Sequence, residues 1–289
     1  MLSGIVTYQL LQRESPQTID KVIAVLEKHP WYANQWQARL QDVQVADGDT
    51  VLFMQAARWA DDIRMTDKQY HRALWHYINW PFKPEGQPVS VQTKSPESVN
   101  ILTALTENEG VVKSANDAER RAIALAWLFH LVGDVHQPLH TAQLFTVDYP
   151  NGDRGGNEIC VRVTQAGQPM DLHRFWDGVI TSSQNFTRLR NEAIALRTRP
   201  EFQRVDLTEL ANAGFDSWTK ESYEIATKIA SRNGGRIGTP RSGNADCAMV
   251  AAAPVLPAGY VVSAGWIADR RMILAGYRLA DMLTQLIMP

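Results

Sequence analysis

Residues 130–140 read HLVGDVHQPLH and follow directly on the apolar run AIALAWLF, Ala122–Phe129. His130 and Asp134 are four apart in a helical pattern, which puts them on one face, roughly 40° apart around the axis. His173 and Asp177 in LHRFWD repeat that spacing, and His140 lies just beyond Pro138. Asp61 in RWADDIR and His76 in LWHYIN each sit in an aromatic, largely apolar stretch. A carboxylate or a charged imidazole is costly to bury unless it is paired or holds a metal. One buried His–Asp pair is ordinarily a structural hydrogen bond. Four histidines and three aspartates on separate apolar segments need another explanation. Imidazole with carboxylate is the donor set that zinc takes where thiolates are missing, and these seven side chains complete two sites with positions left for water. His136 points away from the His130–Asp134 face and is not counted as a ligand. His29 and His71 lie in polar sequence and are read as surface residues.

The elements that must carry these groups are mainly helical. Ser15-Pro16 opens a helix with Ser at the N-cap and Pro in the first turn. Val51–Arg64 and Tyr70–Ile78 are two more, the second carrying His76. SPESVNILTALTEN opens another with the same Ser-Pro signal. DAERRAIALAWLFHLVGDV is the strongest helix and too apolar on all sides to be anything but central. After Pro138 the chain is rich in Gly, Asn and Asp, then alternates, which predicts a loop and a small β-hairpin near 155–165. Helix returns in LHRFWDGVI, across VDLTELANAGFDSWTKESYEIATKIA, and in DRRMILAGYRLADMLTQLI. Ser231–Cys247 reads as a long flexible loop. With no repeat and no break in composition, the expected architecture is a mainly α, compact helical domain over 1–289.

The totals narrow the chemistry. Lys plus Arg number 29 and Asp plus Glu 31, so no overall basic field attracts a duplex, and nucleic acid would have to be gripped locally. Cys160 and Cys247 are too few for a disulfide scaffold or a thiolate zinc cluster; one bridge and two buried free thiols both remain open. The apolar stretch Ala248–Ile267 is interrupted by prolines and glycines and reads as buried chain, not as a membrane span. The N-terminal stretch has neither a basic region nor a small-residue cleavage site. Nothing calls for an obligatory protein partner.

WADDIR, LWHYIN, HLVGDVHQPLH, GGNEICV and LHRFWD, in this order and at these separations, resemble the zinc-dependent single-strand nucleases of the S1/P1 family, and more distantly bacterial zinc phospholipase C. The resemblance runs from about Ile5 to the closing AGYRLADML. It implies a mostly helical fold around a zinc cluster. Asp61, His76 and His130 match the ligands of one buried zinc. Asp134 matches the carboxylate bridging it to a second, and His140, His173 and Asp177 match the ligands of a third. Arg64 matches an arginine near the phosphate, and Asn157 an asparagine of the cleft. Two departures stand out. The family's N-terminal tryptophan and a following histidine bind the second zinc, but here the region reads MLSGIVTYQLL, with Ser3 about where the histidine falls. Either the chain as given starts too late, or the site is reduced, so two or three Zn2+ per chain are expected. Asn79 stands where better-known members carry a base-contacting aspartate.

The implied reaction is hydrolysis of single-stranded RNA or DNA by zinc-bound hydroxide, with Asp61 and Asp134 orienting the nucleophile and Arg64 neutralising phosphate charge. Products would be 5′-phosphorylated, and a 3′-nucleotide could also lose its phosphate. Tyr77, Phe145 and Tyr149 are candidates for a wall on which a base stacks. A zinc phospholipase C is an alternative, but no amphipathic basic-aromatic segment suits a lipid surface; a non-catalytic metal-binding helical protein is another. The family's members are secreted or periplasmic, and that sets the expected location.

Overall fold

The computed structural model describes residues 1–289 apart from Asp42, Ser242, Asn244, Met288 and Pro289. Ten helices dominate it: α1 (Leu2–Glu14), α2 (Pro16–Leu26), α3 (Gln37–Gln41), α4 (Gly48–Thr66), α5 (Ile101–Ser114), α6 (Ala118–Asp134), α7 (Leu172–Gly178), α8 (Phe186–Thr198), α9 (Phe215–Ile225) and α10 (Tyr260–Ile287). The sheets are small. β1 (Trp80–Phe82) pairs in parallel with β2 (Ala142–Leu144), and β3 (Ile159–Val161) lies between β4 (Met170–Asp171) and β5 (Thr239–Pro240), antiparallel to both. The mainly α reading stands, and the expected hairpin is the β3–β4 pair with a third strand added.

The central helix is α6. Leu125, Leu128, Phe129, Leu131 and Val132 are buried, and α6 packs against α4 and α5. Burying each of these side chains contributes about 1.5–3 kcal/mol, enough together to hold the polar end of the helix in place. Asp117 caps its N-terminus by accepting from Arg120 N–H. α1 lies between α4 and α10 and comes close to α4 because Gly4 has no side chain: a Cβ there would run into the Phe53 carbonyl.

Several expectations need correcting. Tyr70–Ile78 is not a helix. Only Ala73–His76 turns, as a 3-10 segment, after which Ile78 and Trp80 donate their N–H groups to His140 and Thr141 carbonyls; pairing with β2 takes the backbone bonds a helix would need. The helix expected from Ser95-Pro96 starts at Ile101, where Asn100 accepts from Leu102 and Thr103 N–H and Thr103 Oγ1 accepts from Asn100 N–H. The helix expected across Val205–Ala230 is broken: 3-10 turns at Arg204–Asp206 and Thr208–Ala211 come first, and the α-helix begins only at Phe215. The last helix begins at Tyr260, inside the apolar stretch. Ser231–Cys247 contains β5, although its residues 242 and 244 lie outside the described residues. α1 and α8 had no counterpart in the sequence reading.

Candidate metal centre

α4, α6 and α7, with the turns at Ala73–His76 and Pro138–His140, bring the seven expected side chains to one place. Asp61, His76 and His130 offer ligand atoms within 4.8 Å of one another, and so do His140, His173 and Asp177. Asp134 lies between the two groups. Its Oδ2 is 2.9 Å from both His76 Nδ1 and His130 Nε2, and its Oδ1 is 3.8 Å from His140 Nδ1. His76 Nδ1 and His130 Nε2 are themselves 2.9 Å apart. Three polar atoms 2.9 Å apart leave a point roughly 1.3 Å out of their plane that is about 2.1 Å from each, within the roughly 2.0–2.2 Å reach of zinc ligands.

The chemistry of the donors fits a cation. His130 Nδ1 lies 2.9 Å from the Ala57 carbonyl, His140 Nδ1 2.9 Å from that of His76, and His173 Nδ1 2.7 Å from that of Gly155. A carbonyl can only accept, so each Nδ1 carries a proton and Nε2 is the nitrogen turned toward the centre, the one that would bind a cation in place of a proton. Ligating histidines are oriented in this way. The His76 ring meets the edge of Trp127 at 5.5 Å, within an aromatic cluster of Trp59, Trp75 and Trp127.

Electrostatically the imidazoles differ. Burial opposes charge on His130, but Asp134 and Asp61 outweigh it and raise its pKa to about 9. His140 is likewise raised to about 9, burial being overcome by Asp134 and Asp177. Burial pushes the Asp134 carboxyl up, yet His130 and His140 bring it well below its ordinary range. His173 is lowered by burial and by its neighbour His140. Asp61 and Asp177 are open to solvent, with side chains 67% and 50% exposed, whereas His130 is only 6% exposed.

A cavity of about 840 Å³ opens over this row and is lined by Asp61, His130, Asp134, His140 and Asp177, with Met1, Leu2 and Ser3 on one side. Ser3 Oγ lies 3.4 Å from where a Gly133 Cβ would stand, beside Asp134 on α6. Arg64 is exposed on the turn of α4 after Asp61 and is not among the described residues lining the cavity; neither are Tyr77, Asn79, Phe145, Tyr149 and Asn157. Phe145 is fully buried, so its ring is core packing and presents no face for a base. Tyr77, Asn79, Tyr149 and Asn157 are half-buried, and Asn157 donates from Nδ2 to the Arg154 carbonyl at 2.7 Å.

His136 faces away from the centre, as its position on the helix predicts. It donates from Nδ1 to Val132 O and accepts at Nε2 from Arg278. Arg271 and Arg278 both bind Glu221, and Ser222 Oγ donates to Val135 O. This buried network ties the end of α6 to α9 and α10, and burial with the two arginines keeps His136 neutral. His29 is not a surface residue: it is buried, stacked on Trp36 at 4.4 Å and against the edge of Trp59, and burial lowers its pKa to about 3. His71 is half-buried. Cys160 and Cys247 form a disulfide.

Three supporting groups gave no recognisable signal in the sequence. Buried Asp153 accepts from Leu144 and Gly155 N–H at Oδ1 and from Gly156 N–H at Oδ2, and so holds the turn whose Gly155 carbonyl orients His173. Gly155 has φ +61°, and a Cβ would collide with the Leu139 carbonyl, so the turn needs glycine. Gln137 donates from Nε2 to Asp177 Oδ1 at 2.8 Å.

The S1/P1 Nuclease family model matches residues 16–288. The chain is 26% identical to Nuclease S1 of Aspergillus oryzae over 46% of its own length and 43% of that protein. It is 28% identical to Endonuclease 3 of Arabidopsis thaliana over 65% and 58%, and 32% identical to Nuclease P1 of Penicillium citrinum over 42% of each. The chain thus spans about half the length of these relatives.

Proposed function

Because the chain belongs to the S1/P1 nuclease family, we propose that it is a zinc-dependent phosphodiesterase that cleaves single-stranded RNA or DNA to 5′-phosphorylated products and removes phosphate from 3′-nucleotides. The observation that carries the reading is the double group of ligands joined by Asp134, with three imidazoles tautomerically locked by main-chain carbonyls. Asp61, His76, His130 and Asp134 would hold one part of the metal cluster, and His140, His173 and Asp177 another. Bound zinc supplies Lewis-acid polarisation of the phosphate and a water acidic enough to ionise near neutral pH.

The protein's own groups do the positioning. Asp134 touches His76 and His130 and comes within 3.8 Å of His140, so it fixes the two halves of the site relative to each other. Asp61, open to the cavity, orients the attacking water with Asp134. Arg64, exposed one turn further along α4 and outside the cavity lining, would have to swing its guanidinium toward the row of ligands to neutralise charge growing on the phosphate as the bond to the 3′-oxygen breaks. A single strand can bend its phosphate down to the row of ligands, which a duplex cannot; Tyr77, Asn79, Tyr149 and Asn157, outside the cavity lining, would contact the strand only where it runs beyond the cavity. The chain works in this proposal as one catalytic domain. The Cys160–Cys247 disulfide supports a secreted or periplasmic location, and no helix among the described residues is long and apolar enough to cross a membrane.

Zinc-loaded protein should hydrolyse a single-stranded oligonucleotide and a 3′-nucleotide, spare a blunt duplex, and lose both activities to a chelator. Hydrolysis that survives complete metal removal, or none from protein shown to hold its zinc, overturns the proposal.

A further inference from the structure

The cavity does not end at the ligands. It continues along α7 into the segment Val179–Gln184, whose residues, Thr181, Ser182 and Ser183 among them, line it. Three guanidiniums reach the cavity: Arg58, Arg174 and Arg271. Arg58 is bound to Asp62 at 2.7 Å, and Arg271 to Glu221 at 2.6 Å. Arg174 is exposed, and among the described residues its guanidinium has no carboxylate partner. The two carboxylates nearest along the chain are already engaged. Asp171 caps α7 through the Arg174 N–H and faces Arg241, and Asp177 belongs to the ligand group and accepts from Gln137. On α7 a residue turns 100° per step, which puts Arg174 about 60° from Asp177 and about 100° from His173, on the flank of the face that carries the ligands.

We propose that Arg174 binds a non-scissile phosphate: the 5′-phosphate of the nucleotide whose 3′-oxygen leaves. The inference rests on the proposed phosphodiesterase reading and adds a second phosphate subsite to it. A free guanidinium beside ligands that take the scissile group, in a cavity large enough for more than one nucleotide unit, has the charge and the geometry to accept a phosphate fork-on. The sugar between the two phosphates would run past the cavity residues Thr181 and Ser182. The site therefore favours a strand over a lone 3′-nucleotide.

The test compares a nucleoside 3′-phosphate with the matching 3′,5′-bisphosphate as substrates of the zinc-loaded protein. The added 5′-phosphate should raise kcat/KM roughly tenfold at low salt. That advantage should shrink as ionic strength rises, because an exposed guanidinium–phosphate contact is screened by salt. Arg174→Ala should bring the ratio of the two substrates close to one, and Arg174→Lys should restore part of it. Equal kcat/KM for the two substrates in the unaltered protein, or a ratio untouched by Arg174→Ala in a variant of unchanged melting temperature, overturns the subsite while leaving the phosphodiesterase reading intact. Failure to cleave either substrate is a failure of that reading instead.

Discussion

Asp153→Asn separates positioning from stability. The buried Asp153 carboxyl is raised from 3.8 to about 6, burial outweighing three main-chain N–H donors. Near neutral pH its ionised form is therefore disfavoured by about 3 kcal/mol relative to water, at 1.36 kcal/mol per pKa unit. Asparagine removes that charge. It also turns an NH2 group toward an N–H that one carboxylate oxygen had accepted, which loses about 1.5–3 kcal/mol. The two terms nearly cancel, so overall stability should change by less than about 2 kcal/mol. The turn at Gly155 should still loosen, and with it the carbonyl that holds His173 Nδ1 at 2.7 Å. Loss of such an orienting partner lowers metal affinity about 10–100-fold. Chelator competition at about pH 7.5 should show that drop at the His140/His173/Asp177 group and little change at the other, with denaturation run in parallel. A stable variant with undiminished affinity, or equal weakening of both groups, refutes the link from Asp153 to His173.

Further outcomes follow from single features. His29 is held neutral with a pKa near 3 against an ordinary 6.5, so the stability it permits is present above about pH 6.5 and is lost as pH falls toward 3. At pH 5 the loss is about 2 kcal/mol, and urea denaturation of His29→Phe should show a pH 8 to pH 5 change smaller by that amount. The Cys160–Cys247 bond closes a loop with a sequence separation of 87, and replacing both residues by serine should cost up to about 4–5 kcal/mol on the chain-entropy scale, read as a fall in melting temperature. Gly155→Ala adds a side chain at positive φ against the Leu139 carbonyl; it should destabilise by at least about 1–2 kcal/mol and, unlike Asp153→Asn, lower stability and metal affinity together.

The sequence was most legible where apolar residues run without interruption. α4 and α6 follow from their patterns alone, and the candidate ligands they carry follow from a carboxylate or imidazole placed where such helices are buried. His76 is legible as a candidate ligand but not as part of a turn leading to β1, because β1 is made by pairing with residues some sixty positions away, and no local pattern reports that. His29 was misread for a similar reason: its polar neighbours in sequence do not show that Trp36 and Trp59 enclose the ring. Phe145 looked like a base platform because aromatic residues in a Gly- and Asn-rich segment suggest a surface, yet the β1–β2 pairing carries it into the core. Asp153 and Gln137 act through main-chain N–H groups and another residue's carboxylate, so their roles exist only once the chain has folded.

The central claim is that these seven side chains meet around divalent cations. Crystals of zinc-loaded protein measured at the zinc absorption edge test it most directly. The account predicts anomalous peaks within bonding distance of His130 Nε2 and Asp61 on one side of Asp134, and of His140, His173 and Asp177 on the other. A map with no peak at either group, in protein that elemental analysis shows to be fully loaded, would contradict it.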